Sequence, residues 1–98
     1  MKKESLTNIH KKAESYPNQI NNCIAFPTGI CLNNIAAHYT PNYIDETIIK
    51  PNDVCKIDFG THIDGHIIDS AFTINIDQSH QNLLLASKEA VRNVIKNI

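Results

Sequence analysis

The chain has no tryptophan, only three glycines and four prolines, and an odd number of cysteines. Cys23, Cys31 and Cys55 show no CxxC spacing. They fit neither a disulfide framework nor a zinc knuckle, and read as reduced residues within a fold. Gly29, Gly60 and Gly65 stand far apart, so no glycine-rich phosphate loop exists, and no serine or cysteine nucleophile stands beside a base in a motif. An excess of one charge is also lacking. A formal net charge of −1 gives no reason to expect nucleic acid or anionic membrane as a partner. No apolar run approaches the ~20 residues of a membrane span. Met1-Lys2-Lys3-Glu4-Ser5 leads into polar residues, not into the apolar core of a signal peptide. A cytoplasmic address is the expectation. What remains is an ordinary globular composition in 98 residues, at most one small domain with a modest core.

Residues 1–22 are polar and weakly patterned. Ser5 to Ser15 is expected to form part of a helix, stopped by Pro17-Asn18. Cys23 to Phe26 reads as a short buried strand ended by a turn at Pro27-Thr28-Gly29. Ile30 to Leu32 and Ile35 to Tyr39 are further short extended segments, closed by Thr40-Pro41-Asn42. Pro51-Asn52-Asp53 is a turn into the strand Val54 to Phe59. Gly60 to Gly65 is expected as a loop and His66 to Ile76 as the longest strand. Asp77 and Ser79 offer N-caps for a closing helix. In that helix Leu83, Leu84, Ser87, Ala90, Val91, Val94, Ile95 and Ile98 share one face. A single helix leaves one face of a small sheet bare, so the sequence is expected to be the front of a larger domain.

Asp64-Gly65 is a strong two-residue hairpin signal. With those residues as the loop, Ile63 faces His66, Asp58 faces Ala71 and Gly60 faces Asp69. Asp58 and Asp69 are then diagonal neighbours, roughly 7–8 Å apart at the backbone. Moving the loop to Ile63-Asp64 sets them directly opposite. Either register keeps both acids on one face, because side-chain direction alternates with period two. Asp69 stands among Ile67, Ile68, Ala71 and Phe72, so its strand is expected to be well buried. Two bare carboxylates are costly in such surroundings, which leaves protonation of one or a cation between them. Hard divalent metals take oxygen ligands of this kind, and two-metal sites use bridging carboxylates. Spacing alone leaves open the plainer alternative, a hairpin whose acids face water.

His38 follows Ala36 and Ala37, small neighbours that leave room around an imidazole for substrate contact or proton donation. A packed or surface histidine at a strand end is the competing reading. His62 and His66 bracket the hairpin loop and read as solvent-exposed, outside the site. His10 and His80 have no supporting context. Phe26 is most simply core. Lys2, Lys3, Lys11 and Lys12, balanced by acids, read as a solvated face.

The run Ala25-Phe26-Pro27-Thr28-Gly29, then Leu32-Asn33-Asn34, then Ala36-Ala37-His38-Tyr39-Thr40-Pro41-Asn42 closely resembles the type 2 methionine aminopeptidases. Cys55 to His62 and Ile67 to Thr73 continue the match in order and spacing. The resemblance covers roughly residues 22 to 98. It divides the chain into a partial N-terminal helix and linker, 1–22, and the incomplete first half of the catalytic domain, 23–98. It implies an α/β (α+β) pita-bread aminopeptidase fold, of which this chain carries short antiparallel strands with a hairpin and a closing helix. It implies hydrolytic removal of the initiator methionine from nascent polypeptides, and association with the ribosome. By motif position Asp58 resembles the bidentate ligand of one metal and Asp69 the carboxylate bridging two. The cofactor implied is two divalent ions, with Co, Mn, Zn and Fe not distinguished. His38 corresponds to the histidine contacting the scissile amide, and Phe26 to a wall of the methionine side-chain pocket. The family's remaining ligands are one histidine and two glutamates. His80 and Glu89, the only such residues after Asp69, lie in no matching motif. The isolated chain is therefore expected to be inactive and to need the missing second half of the fold or a complementing chain. The alternative is an inactive truncated paralogue acting as a protein-binding module.

Overall fold

A computed structural model describes residues 5–19, the side chains of 16–19 apart, and 23–98. The chain runs α1 (Leu6–Gln19), β1 (Cys23–Leu32), β2 (Cys55–Ile63), β3 (His66–Ile74) and α2 (Gln81–Lys96). The strands form one antiparallel sheet in the order β1-β2-β3. The mixed α/β class expected from the sequence is the one observed. Lys2 and Lys3 lie outside the described residues.

Helix α1 starts where Ser5 Oγ accepts the Asn8 N–H at 3.2 Å, a side-chain cap. It continues through Pro17 to Gln19, past the expected stop. Pro17 stands near the end of the helix, where its missing N–H forfeits one bond, to the carbonyl of Ala13. Leu6, on the first turn, is 2% exposed and packs with Ile30, Cys55 and Ile57. Ile9, Leu32, Ile49, Phe59 and Ile74 surround them. The register pairs Ile30 with Ile57, and Leu32 with Cys55 and thence Ile74. These residues share one sheet face, and α1 covers it over β1. Burial raises the Cys55 thiol pKa to about 11, so this cysteine is an inert part of the core.

The second hairpin closes in the first of the two expected registers. Ile63 faces His66, Asp58 faces Ala71 and Gly60 faces Asp69. Asp64 and Gly65 both take positive φ, 51° and 83°, as a type I′ loop requires. His62 Nδ1 accepts the Gly65 N–H at 3.1 Å and steadies that loop. β2 reaches Ile63, so the expected loop from Gly60 shrinks to two residues; the Thr61–Ile68 and His62–Ile67 pairs carry the ladder to its end.

Three further expectations are corrected. Pro27-Thr28-Gly29 is no turn: β1 passes through it, with register shifts between Ile24 and Phe26 and between Phe26 and Gly29. A bulge on an edge strand accommodates a proline that has no N–H for the ladder. Ile35 to Tyr39 forms no strand, because its backbone bonds to β1, the Ile35 N–H to the Leu32 carbonyl at 3.0 Å and the Ile30 N–H to the Tyr39 carbonyl at 2.8 Å, close a turn and do not extend into a ladder. α2 is preceded by His80 with no side-chain cap. Asp77 Oδ1 instead accepts the Ser79 N–H and hydroxyl, closing a turn one step earlier.

Candidate metal centre

The sheet face opposite the core carries the site. Phe26 pairs with Gly60, Gly60 with Asp69, and Gly29 with Asp58, so the alternation of β2 turns all five toward one side. Phe26, Pro27, Gly29, His38, Thr40, Asp58 and Asp69 together line a cleft of about 410 Å³. The four residues singled out in the sequence are thus brought to one place. Pro27, Gly29 and Thr40 join them unforeseen. Their signal is faint: a proline inside a strand pattern marks a bulge, and bulges re-aim neighbouring side chains.

Asp58 is half-buried and its Oδ1 is buried with no hydrogen-bond partner among the described residues. Its carboxyl is held above the ordinary range, first by burial and then by the negative charge of Asp69; His38 pulls the other way. Asp69 itself is exposed, against the expectation of a well-buried strand. β3 is the sheet's other edge, and Ile67 and Ile68 beside Asp69 are 60% and 72% exposed. Two close carboxylates, one with an orphaned buried oxygen, suit a hard divalent cation in donor type and charge. No group of three or more His, Cys, Asp or Glu able to hold a metal exists among the described residues. The donors present are two.

The ring of Phe26 closes against Gly60. A β-carbon at residue 60 would stand 2.3 Å from Phe26 Cε1 and 2.7 Å from Cζ, so only glycine admits the ring there. His38 is exposed and holds a left-handed backbone, φ 64°, a conformation that costs a non-glycine residue about 1 kcal/mol or more. Flanking contacts hold it. The Tyr39 carbonyl accepts the Ile30 N–H, the Thr40 hydroxyl donates to the Thr28 carbonyl at 3.2 Å, and the Tyr39 hydroxyl donates to Asp45 Oδ2. That last bond lowers the Asp45 pKa.

The bulge leaves Thr28 without a partner in the β1–β2 register. Buried peptide groups left unpaired cost about 1–3 kcal/mol each. Thr28 is 2% exposed, and its groups are satisfied from α1. Its N–H donates to Glu14 Oε1 at 3.1 Å, and His10 Nδ1 lies 3.0 Å from its carbonyl. His10 Nε2 faces Glu14 Oε2 at 3.3 Å. His10 thus has the context its surrounding sequence lacked; the sign in the sequence was Glu14, one helical turn on. Neither His62 nor His66 lines the cleft; His66 is exposed as expected, whereas His62 is half-buried in β2.

Comparison with known proteins turns this geometry into a relationship. The model of metallopeptidase family M24 matches residues 2–98. The chain belongs to metallopeptidase family M24. A methionine aminopeptidase 2 of Debaryomyces hansenii is 46% identical over 91 residues, covering 90% of this chain and 22% of the relative. Methionine aminopeptidase 2A of Arabidopsis thaliana is 52% identical over 93 residues, 95% of this chain and 21% of the relative. A methionine aminopeptidase 2 of Kluyveromyces lactis is 58% identical over 73 residues, 74% of this chain and 18% of the relative. The M24 chain spans about a fifth of the length of these relatives. The family has the pita-bread fold, and the three-stranded sheet with its two helices is the part of it seen here. As in the sequence-based expectation, no described helix is long and apolar enough to cross a membrane.

Proposed function

We propose that this chain carries part of the active site of a methionine aminopeptidase, which removes the N-terminal methionine from nascent proteins. One observation carries the reading: an apolar wall, an imidazole and two carboxylates meet in a single cleft. Asp58 and Asp69 would hold a divalent-metal pair, Asp58 as a ligand of one ion and Asp69 as the carboxylate shared between them. Bound there, the ions supply Lewis acidity and lower the pKa of a water. The remaining roles fall to the chain itself. The Phe26 ring, fixed over Gly60, forms an apolar face against which the unbranched thioether side chain of methionine rests. His38, on the loop that lines the cleft with the sheet residues, would hydrogen-bond the scissile amide and orient it. In the overall hydrolysis the amide C–N bond breaks, water supplies the hydroxyl of the new carboxylate, and the leaving amine takes the proton.

Two carboxylates are too few for such a centre, so activity requires further ligands from the second half of the fold or a complementing chain. The test is methionine release from a peptide with a small second residue. The 98-residue chain alone should release none. Mixed with a polypeptide carrying the remaining four-fifths of the Kluyveromyces lactis relative, it should release methionine, and EDTA should stop it. Turnover by the chain alone, or a stable but inactive complex loaded with metal, contradicts the reading.

A second reading, a non-catalytic module that binds a protein partner, is favoured by the exposed apolar surface. α2 has no buried residue, and Phe72, Val91 and Ile95 are 49%, 61% and 67% exposed. It predicts the stable inactive complex just named.

A further inference from the structure

We propose that His10 and Glu14 of α1 are positioning residues for the cleft, acting on it through a single peptide unit, that of Thr28. The positioning role rests on the aminopeptidase reading; the clamp itself does not. A carbonyl accepts only, so the His10 Nδ1–H donates to the Thr28 carbonyl. Glu14 reaches the same unit from the other side, taking the Thr28 N–H on Oε1 and presenting Oε2 to His10 Nε2. The two side chains replace the ladder partners that the bulge denies Thr28.

Two consequences run outward from Thr28. Backward, the clamp fixes the bulge that lays Phe26 over Gly60. Forward, the Thr28 carbonyl also accepts the Thr40 hydroxyl, which ties down the loop holding His38 in its left-handed conformation. Both walls of the cleft are therefore referred to one buried peptide held by a helix on the opposite face. Neither His10 nor Glu14 lines the cleft.

The ring of Phe26 over Gly60 supplies a readout independent of metal and substrate. The Gly60 α-protons lie against the ring, whose ring current should displace them from ordinary glycine values in the proton spectrum of the 98-residue chain. In Glu14→Ala that shift should collapse toward the value of an unconstrained glycine, while the Ile30 and Ile57 methyl shifts of the core stay in place. Glu14→Gln keeps an acceptor for the Thr28 N–H and should retain the Gly60 shift. Thr40→Val should release the His38 amide signal from its native position, and Thr40→Ser should restore it. Should Glu14→Ala unfold the chain, His10→Ala is read in the same way, since it leaves the Thr28–Glu14 bond intact. An unchanged Gly60 shift in Glu14→Ala overturns the proposal. So does collapse of core and cleft signals together in His10→Ala, which would make α1 a scaffold and no more. An intact clamp in a chain that yields no methionine release with its complementing polypeptide would contradict the functional reading alone.

Discussion

The ring of Phe26 occupies the space that a side chain at Gly60 would fill. Gly60 is buried between two partners, Phe26 on β1 and Asp69 on β3, so this contact links the apolar wall of the cleft to its acidic floor. Gly60→Ala should destabilise the chain by about 1–3 kcal/mol, because a ring is displaced and strain spreads into the sheet. A double-mutant cycle checks the cause. In a Phe26→Ala background the same change should cost distinctly less, read from urea unfolding. Equal costs in both backgrounds would mean that the ring is not what excludes the β-carbon.

The hairpin loop offers a cleaner backbone test. Gly65 has φ 83° and nothing within 4 Å of where a β-carbon would stand. Gly65→Ala should therefore cost about 1 kcal/mol from conformation alone, with no change in packing. Gly65→Asn should recover part of it, since asparagine tolerates the left-handed region. Thermal melts of the two variants measure this.

Asp53 provides the pH dependence. It is 8% exposed; its Oδ1 accepts from Asn33 Nδ2 at 3.0 Å and its Oδ2 from the Lys50 N–H at 2.9 Å. These bonds, Asn33 first, lower its pKa below the ordinary 3.8. A depressed native pKa gives stability that is present above the unfolded value and lost as pH falls through the native one. The contribution should thus be full at neutral pH and fade below about pH 4. Asp53→Asn places an amide donor against one of two donors and should cost about 1–3 kcal/mol at pH 7. That cost should shrink steadily toward pH 2 in urea titrations at a series of pH values.

What the sequence made legible was local. Asp64-Gly65 sets the register of β2 and β3 by turn chemistry alone, and that register puts Asp58 and Asp69 on one face. The motif around His38 marked a loop that reaches the cleft. What escaped depends on contacts distant in sequence. Pro27-Thr28-Gly29 has the composition of a turn, and the contacts that hold it as a bulged strand are distant in sequence: Glu14 and His10, 14 and 18 residues upstream of Thr28, Thr40 downstream, and the pairing with β2. The run Ile67 to Phe72 reads as buried because it is apolar, yet burial also needs a covering layer. Among the described residues α1 lies over β1, and α2 buries no residue of its own. His38 was legible by neighbourhood, but its left-handed backbone is imposed by Tyr39 and Thr40 through their bonds to β1 and is invisible in its own residue type.

The central claim is that Asp58 and Asp69 are paired ligands of a divalent-metal site. The most direct test is titration of the isotopically labelled 98-residue chain with Mn²⁺. The account predicts selective paramagnetic broadening at Asp58, Asp69 and the facing Gly29, reversed by EDTA. Either Asp58→Asn or Asp69→Asn should weaken it by about tenfold or more, a loss of about 1.4 kcal/mol. Broadening spread evenly over the acidic surface, or broadening at the same positions that persists undiminished in both variants, would contradict it.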